Sequence, residues 1–304
     1  MRWATVLRAG LGAACLLVPA WVAASRWSTL AAGHPAHPVL LAVLVLVGVV
    51  LLVRTGRPRR AGRWATGRRA VGALLLVAVL ACAAWLRPFA AEPVAVAATA
   101  SALTVEVVDS PTRWELRPRG GTTDVGVAFF PGALVDPRAY LALLRPLAER
   151  GHLVVVIKPP FGVALLADAG AALDAHPEVT RWAVGGHSLG GVAATRAASG
   201  DPRVRGVFFW ASYPDRDLSR NPLAAASISG DRDAVIDRTR LDGSRAQLPP
   251  GTEFTVVPGA VHAHFGDYGP QAGDGTPGTS RADAQRAIVA ATEGFLAELA
   301  PGGR

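Results

Sequence analysis

Cysteine is almost missing from this sequence: the two present, Cys15 and Cys82, both fall inside apolar runs. The rest of the chain therefore has no thiol for nucleophilic catalysis, no cysteine-ligated metal and no disulfide. Acidic residues are missing just as sharply from one region. Residues 1–86 hold ten arginines and no aspartate or glutamate, leaving 21 of the 31 basic residues and all 23 acids elsewhere, a net of −2 there against +8 for the whole chain. The positive charge belongs to the N-terminal part, so nucleic-acid binding loses its main support, because a basic groove should lie on the folded domain. No internal repeat is apparent.

Hydrophobic residues make up 51% of the chain, and three runs stand out, at 9–24, 38–53 and 70–86. With modest extensions each reaches the ~17–25 residues needed to cross a bilayer, and no polar face interrupts any of them. The expected organisation is a membrane region over 1–89 with transmembrane helices at about 4–24, 36–53 and 70–89. An Ala-rich linker over 90–102 and a globular domain over 103–304 follow. Seven arginines, from Arg54 to Arg69, lie between the second and third runs. Short basic loops stay cytoplasmic, so the chain after Arg87 is expected outside the cytoplasm. A cleaved first segment, with Val22-Ala23-Ala24 as its site, would leave that orientation unchanged.

Beyond the linker, β-rich runs at 103–108 and 113–117 flank Asp109-Ser110-Pro111 and predict a hairpin. Continuous apolar strands are then expected at 125–130, 153–157, 180–184, 204–210, 225–229 and 253–257. Helices are expected at 137–150, with Asp136 as N-cap, and at 163–175, 192–198 and 280–299. Fully apolar strands alternating with helices predict an α/β domain: a mainly parallel sheet covered on both faces.

One stretch organises this domain: Gly185-Gly186-His187-Ser188-Leu189-Gly190-Gly191. An apolar strand precedes it and a helix-compatible run follows. A strand, a turn too tight for side chains and then a helix lifts a serine hydroxyl clear of the sheet, beside the helix N-terminus. A Cβ at Gly186 or Gly190 should collide with a neighbouring element. The pattern G-x-S-x-G is weak alone, and the hydroxyl needs a base within hydrogen-bond reach.

Other strand ends supply candidates, since active residues of such sheets sit on loops at the carboxyl ends of strands. Gly230-Asp231-Arg232-Asp233 follows one strand, and either aspartate could hold an imidazole N–H. Gly259-Ala260-Val261-His262-Ala263-His264 follows another and offers a base. Phe130-Pro131-Gly132-Ala133 follows a third, and the backbone N–H groups of Ala133 and Leu189 are placed to hold a developing oxyanion. The order Ser, Asp, His differs from those of chymotrypsin and subtilisin. His262 and His264 could also ligate a metal, but no glutamate or further histidine sits at ligand spacing. No metal or other cofactor is expected.

From about Leu103 onward the chain resembles the α/β-hydrolase superfamily. It is similar above all to the compact bacterial branch related to dienelactone hydrolases, the α/β-hydrolase fold-5 family. The resemblance is carried by Phe129-Phe130-Pro131-Gly132, Asp136-Pro137 and Tyr140, then by Gly186-His187-Ser188-Leu189-Gly190-Gly191. Gly230 with Asp233, Gly259 with His262, Phe265-Gly266, Tyr268-Gly269 and Gln271 complete it. It implies a serine hydrolase with Ser188 as nucleophile, His262 as base, Asp233 as orienting acid, and Ala133 and Leu189 lining the oxyanion hole. Within that family's spacing Asp233 is preferred to Asp231 and His262 to His264. The membrane segments are not part of the family core. The expected substrate is a small acyl or ester compound, and the stretch between the strands ending at Trp210 and starting at Ala225 is too short for a helical lid. An acyltransferase with the same triad, and a non-catalytic tethered binding module, are the other readings these residues admit.

Overall fold

The computed structural model describes residues 2–55 and 63–300, which fall into two compact units: 2–31 with 35–55 and 63–88, and 32–34 with 89–300. The first unit holds three helices, α1 (Arg2–Ala32), α2 (Ala36–Val53) and α3 (Arg63–Trp85). All three are long and apolar enough to cross a membrane. Helix α1 carries Pro19 internally and breaks helical geometry at Arg26. Helices α1 and α2 approach closely where Gly48 faces Cys15 and Gly12: a Cβ on Gly48 would lie 2.9 Å from the Cys15 Cβ. Small residues permit such approach where apolar lipid gives helices no hydrophobic drive to pair. Leu17, Leu46 and Leu74 are each more than 60% exposed, an apolar surface suited to lipid. Of the basic loop expected between α2 and α3, residues 56–62 lie outside the described residues.

In the second unit, a short helix α4 (Pro93–Ala97) lies in the stretch expected as a linker. Ala91 forms a bridge with Tyr268, Arg281 pairs with Glu92, and Arg145 donates to the Ala98 and Ala100 carbonyls. The hairpin follows as β1 (Val105–Ser110) and β2 (Arg113–Pro118), then β3 (Val125–Phe130). Asp136 accepts the Arg138 N–H and starts a 3₁₀ turn, Pro137–Tyr140, that runs into α5 (Leu141–Glu149) and then β4 (Val154–Ile157).

The helix expected over 163–175 is replaced by two 3₁₀ turns, Pro160–Gly162 and Ala164–Leu166, and a five-residue α6 (Gly170–Asp174). Gly162 has φ 71°, and the Asp168 side chain accepts the Gly170 N–H, a turn that competes with helix. The order continues with β5 (Arg181–His187), α7 (Leu189–Gly200), β6 (Val204–Trp210), β7 (Ala224–Gly230), α8 (Arg238–Gly243), β8 (Glu253–Val257) and α9 (Arg281–Glu298). Ser280 caps α9 by accepting the Asp283 N–H.

The described residues form one eight-stranded sheet, ordered β1-β2-β4-β3-β5-β6-β7-β8, in which β2 is antiparallel to both of its neighbours, β1 and β4, and every other neighbouring pair is parallel. Alternation along β3 divides the core. Val127 and Phe129 pack with Leu144 and Leu147 of α5 and with Ile288 and Phe295 of α9. Ala128 and Phe130 face the other way, with Leu173 of α6 and Ala193 of α7. Phe208, Phe209 and Trp210 are wholly buried, so this aromatic run of β6 is core. Residues 211–223, between β6 and β7, contain turns and no helix.

Candidate active site

A single residue, Ser188, separates the end of β5 from the start of α7, and it makes the turn with φ 53° and ψ −123°. A non-glycine residue held there costs on the order of 1–3 kcal/mol, so the surroundings must hold it. The Ser188 N–H donates to the Trp210 carbonyl at 3.0 Å, and its own carbonyl accepts from Gly191 N–H at 3.0 Å and Ser212 Oγ at 2.6 Å. A Cβ on Gly186 would be driven into the Gly190 carbonyl, and one on Gly190 into the Phe130 carbonyl oxygen. The turn has no room for side chains at those two positions.

Asp233, in the loop after β7, is buried, and both its oxygens are used. Oδ1 accepts the N–H groups of Val235 and Ile236 at 2.9 and 3.0 Å, and Oδ2 lies 2.8 Å from His262 Nδ1. His262 opens a 3₁₀ turn after β8 and is also buried. Asp231 instead accepts the Gly259 N–H, and thereby ties the two loops together. Ser188 and His262 line one cleft of about 260 Å³, with Leu189, Val192, Ala211, Ser212, Tyr213, Val235, Ile236 and Asp237. Neither Asp231 nor His264 lines it.

Leu189 opens α7, so its N–H is one of the first-turn donors that have no acceptor within the helix. Ala133 is exposed in the loop after β3. On either side of it, the Gly132 N–H donates to Tyr140 Oη at 2.9 Å and the Leu134 N–H to the Gly162 carbonyl at 2.8 Å.

Sequence reasoning missed Asp274. Its carboxylate accepts the N–H of His262 at 3.1 Å and of Ala263 at 2.8 Å, which pins the histidine loop. The surrounding Gly273-Asp274-Gly275 reads only as a turn. Ser212 and Ile236 were also unforeseen, although their positions just past β6 and just past Asp233 placed them at the right end of the sheet.

A model of the alpha/beta hydrolase family matches residues 126–286. Among solved structures, the chain is similar to a protein of Klebsiella pneumoniae subsp. pneumoniae MGH 78578 assigned as a dienelactone hydrolase, at 18% identity over 62% of this chain and 98% of that one, TM-score 0.45. It is similar also to TT1662 from Thermus thermophilus, at 18% identity over 63% of this chain and 98% of that one, TM-score 0.46. A ferulic acid esterase from Streptomyces cinnamoneus aligns at 19% identity over 62% of this chain and 70% of that one, TM-score 0.46. No curated protein matches the sequence.

Proposed function

Because the chain belongs to the alpha/beta hydrolase family, we propose that it is a membrane-anchored serine hydrolase that cleaves an ester-type bond of a small-molecule substrate through an acyl-enzyme. The observation that carries the reading is the buried 2.8 Å contact of Asp233 with His262, in a cleft that Ser188 shares with that histidine.

In this mechanism Asp233 receives the Nδ1–H of His262 and fixes the tautomer, which leaves Nε2 to take the Ser188 proton as Oγ attacks the acyl carbon. The carbonyl π electrons move onto oxygen, and the N–H groups of Ala133 and Leu189 hold that oxyanion. Collapse of the tetrahedral species expels the alcohol, which takes the proton from His262. Water, deprotonated by the same imidazole, then attacks the acyl-enzyme, and collapse of that second tetrahedral species returns the proton from His262 to Ser188 Oγ and releases the acid. Each oxyanion donor contributes about 10²–10³-fold in rate. The small cleft favours short acyl groups.

The anchor is the three apolar helices. The ten arginines without a single acid in residues 1–86, seven of them between the second and third helices, support a cytoplasmic basic loop and a catalytic domain on the opposite side.

The test is turnover of short p-nitrophenyl esters by purified wild type and Ser188→Ala. Loss of turnover with an unchanged circular dichroism spectrum and melting temperature is expected; retained turnover in the variant would overturn the reading.

A further inference from the structure

Tyr140 and His187 lie together beneath the loop that carries Ala133. The Gly132 N–H donates to Tyr140 Oη at 2.9 Å, and Oη lies 2.9 Å from His187 Nδ1, with all three groups buried. Gly132 leaves the room for this: a Cβ there would sit 2.8 Å from His187 Nδ1 and 3.2 Å from Oη. Burial pushes the Tyr140 phenol well above its usual range against the pull of the Gly132 N–H, so the phenol keeps its proton. Burial, and then the nearby His262, push the His187 imidazole well below its usual range. With Oη already accepting the Gly132 N–H, the phenol O–H donates to Nδ1 when His187 carries its proton on Nε2, and the hydrogen bonds then run in one direction, from the Gly132 N–H to Oη and from the phenol to the imidazole.

The consequence falls on Ala133. The Gly132 carbonyl accepts the Val135 N–H at 3.1 Å. Since a peptide unit is planar and trans, the Ala133 N–H points opposite to that carbonyl. Gly132 is therefore held at its N–H by Tyr140 and at its carbonyl by Val135, and together these aim the Ala133 N–H. The His187 ring also packs 4.5 Å, centroid to centroid, from His262 and stacks on Phe265 at 5.9 Å, so the support cannot slide without disturbing the base.

We propose that Tyr140, backed by His187, is a positioning residue that sets the direction of the Ala133 N–H and so determines how well the oxyanion is held. The proposal rests on the serine-hydrolase reading above. Tyr140 touches no reacting atom and acts through the peptide between Gly132 and Ala133.

The full chain in detergent provides the test, with a short p-nitrophenyl ester as probe. Tyr140→Phe keeps the ring and removes Oη. It is expected to lower kcat roughly 10–100-fold, less than outright loss of a donor, with KM within about twofold and the melting temperature within a few degrees. His187→Asn, whose amide oxygen can replace Nδ1 as acceptor, should lose less kcat than His187→Phe, which should fall with Tyr140→Phe. A Tyr140→Phe enzyme with unchanged kcat, or with raised KM and unchanged kcat, overturns the proposal. If Tyr140→Phe does not fold, the two His187 variants decide, and equal kcat in both overturns it. Failure of the underlying reading is distinguishable, since it shows as turnover surviving in Ser188→Ala.

Discussion

Asp233 and His262 come from loops after adjacent strands, β7 and β8, yet their side chains meet at 2.8 Å with both groups buried. Two devices hold the pair. The Val235 and Ile236 N–H groups fix the aspartate from one side, and Asp274 fixes the histidine backbone from the other. A carboxylate in such a place orients the imidazole and stabilises the imidazolium as it forms. Asp233→Asn should therefore lower kcat by about 10³–10⁴. Asp231→Asn should lower it by less than about tenfold, because Asp231 meets only the backbone of the histidine loop. Steady-state kinetics on the two variants side by side check the assignment.

Val235 and Ile236 are among the residues that line the cleft of about 260 Å³. Ile236→Ala should open it and raise kcat/KM for butyrate or hexanoate esters relative to acetate by about tenfold, in keeping with the ~10–200-fold value of a methylene in an apolar pocket. A series of p-nitrophenyl esters of increasing chain length measures the shift.

Away from the site, Glu115 on β2 is wholly buried and accepts from Arg117 at 2.7 Å, with Arg113 and His176 also in contact. Burial works to raise its pKa, but the hydrogen bonds from Arg113 and Arg117, with His176 alongside, prevail and hold it below the usual 4.5. A lowered carboxylate contributes stability fully above its unfolded value and loses it as pH falls through the folded value. Glu115→Gln should thus be about 1–3 kcal/mol less stable than wild type at pH 7. The gap should narrow only below about pH 4.5. Thermal melts of both proteins between pH 7 and pH 3 test the sign.

The orientation of the chain in the membrane can be tested separately. An alkaline phosphatase fused after Arg304 should be active in intact bacterial cells, and a green fluorescent protein fused there through the general secretory route should be dark. The opposite pattern would place the catalytic domain in the cytoplasm.

Much of this domain was legible in the sequence for a physical reason. A strand buried on both faces reads as a nearly unbroken apolar run, and β3 and β6 have the expected bounds. The tight turn at Ser188 declares itself through glycines that no other residue could replace. Segments governed by side-chain-to-backbone bonds were not legible. The texture at 163–175 is helical, but the bond from Asp168 to the Gly170 N–H and the backbone at Gly162 break it into turns. Asp274 meets His262 only because the connection from β8 to α9 folds back on itself, and no periodicity encodes that contact. The Ala-rich stretch at 90–102 looks featureless, yet Glu92 is paired with Arg281. The choice between Asp231 and Asp233 needed the position of the imidazole as well.

The central claim is that Ser188 is an activated nucleophile. Labelling by a fluorophosphonate probe tests it most directly, on membranes carrying wild type and Ser188→Ala side by side. The account predicts a labelled band for wild type that is absent from the equally abundant, folded variant. Folded wild type that takes no label, or a variant that labels as well as wild type, would contradict it.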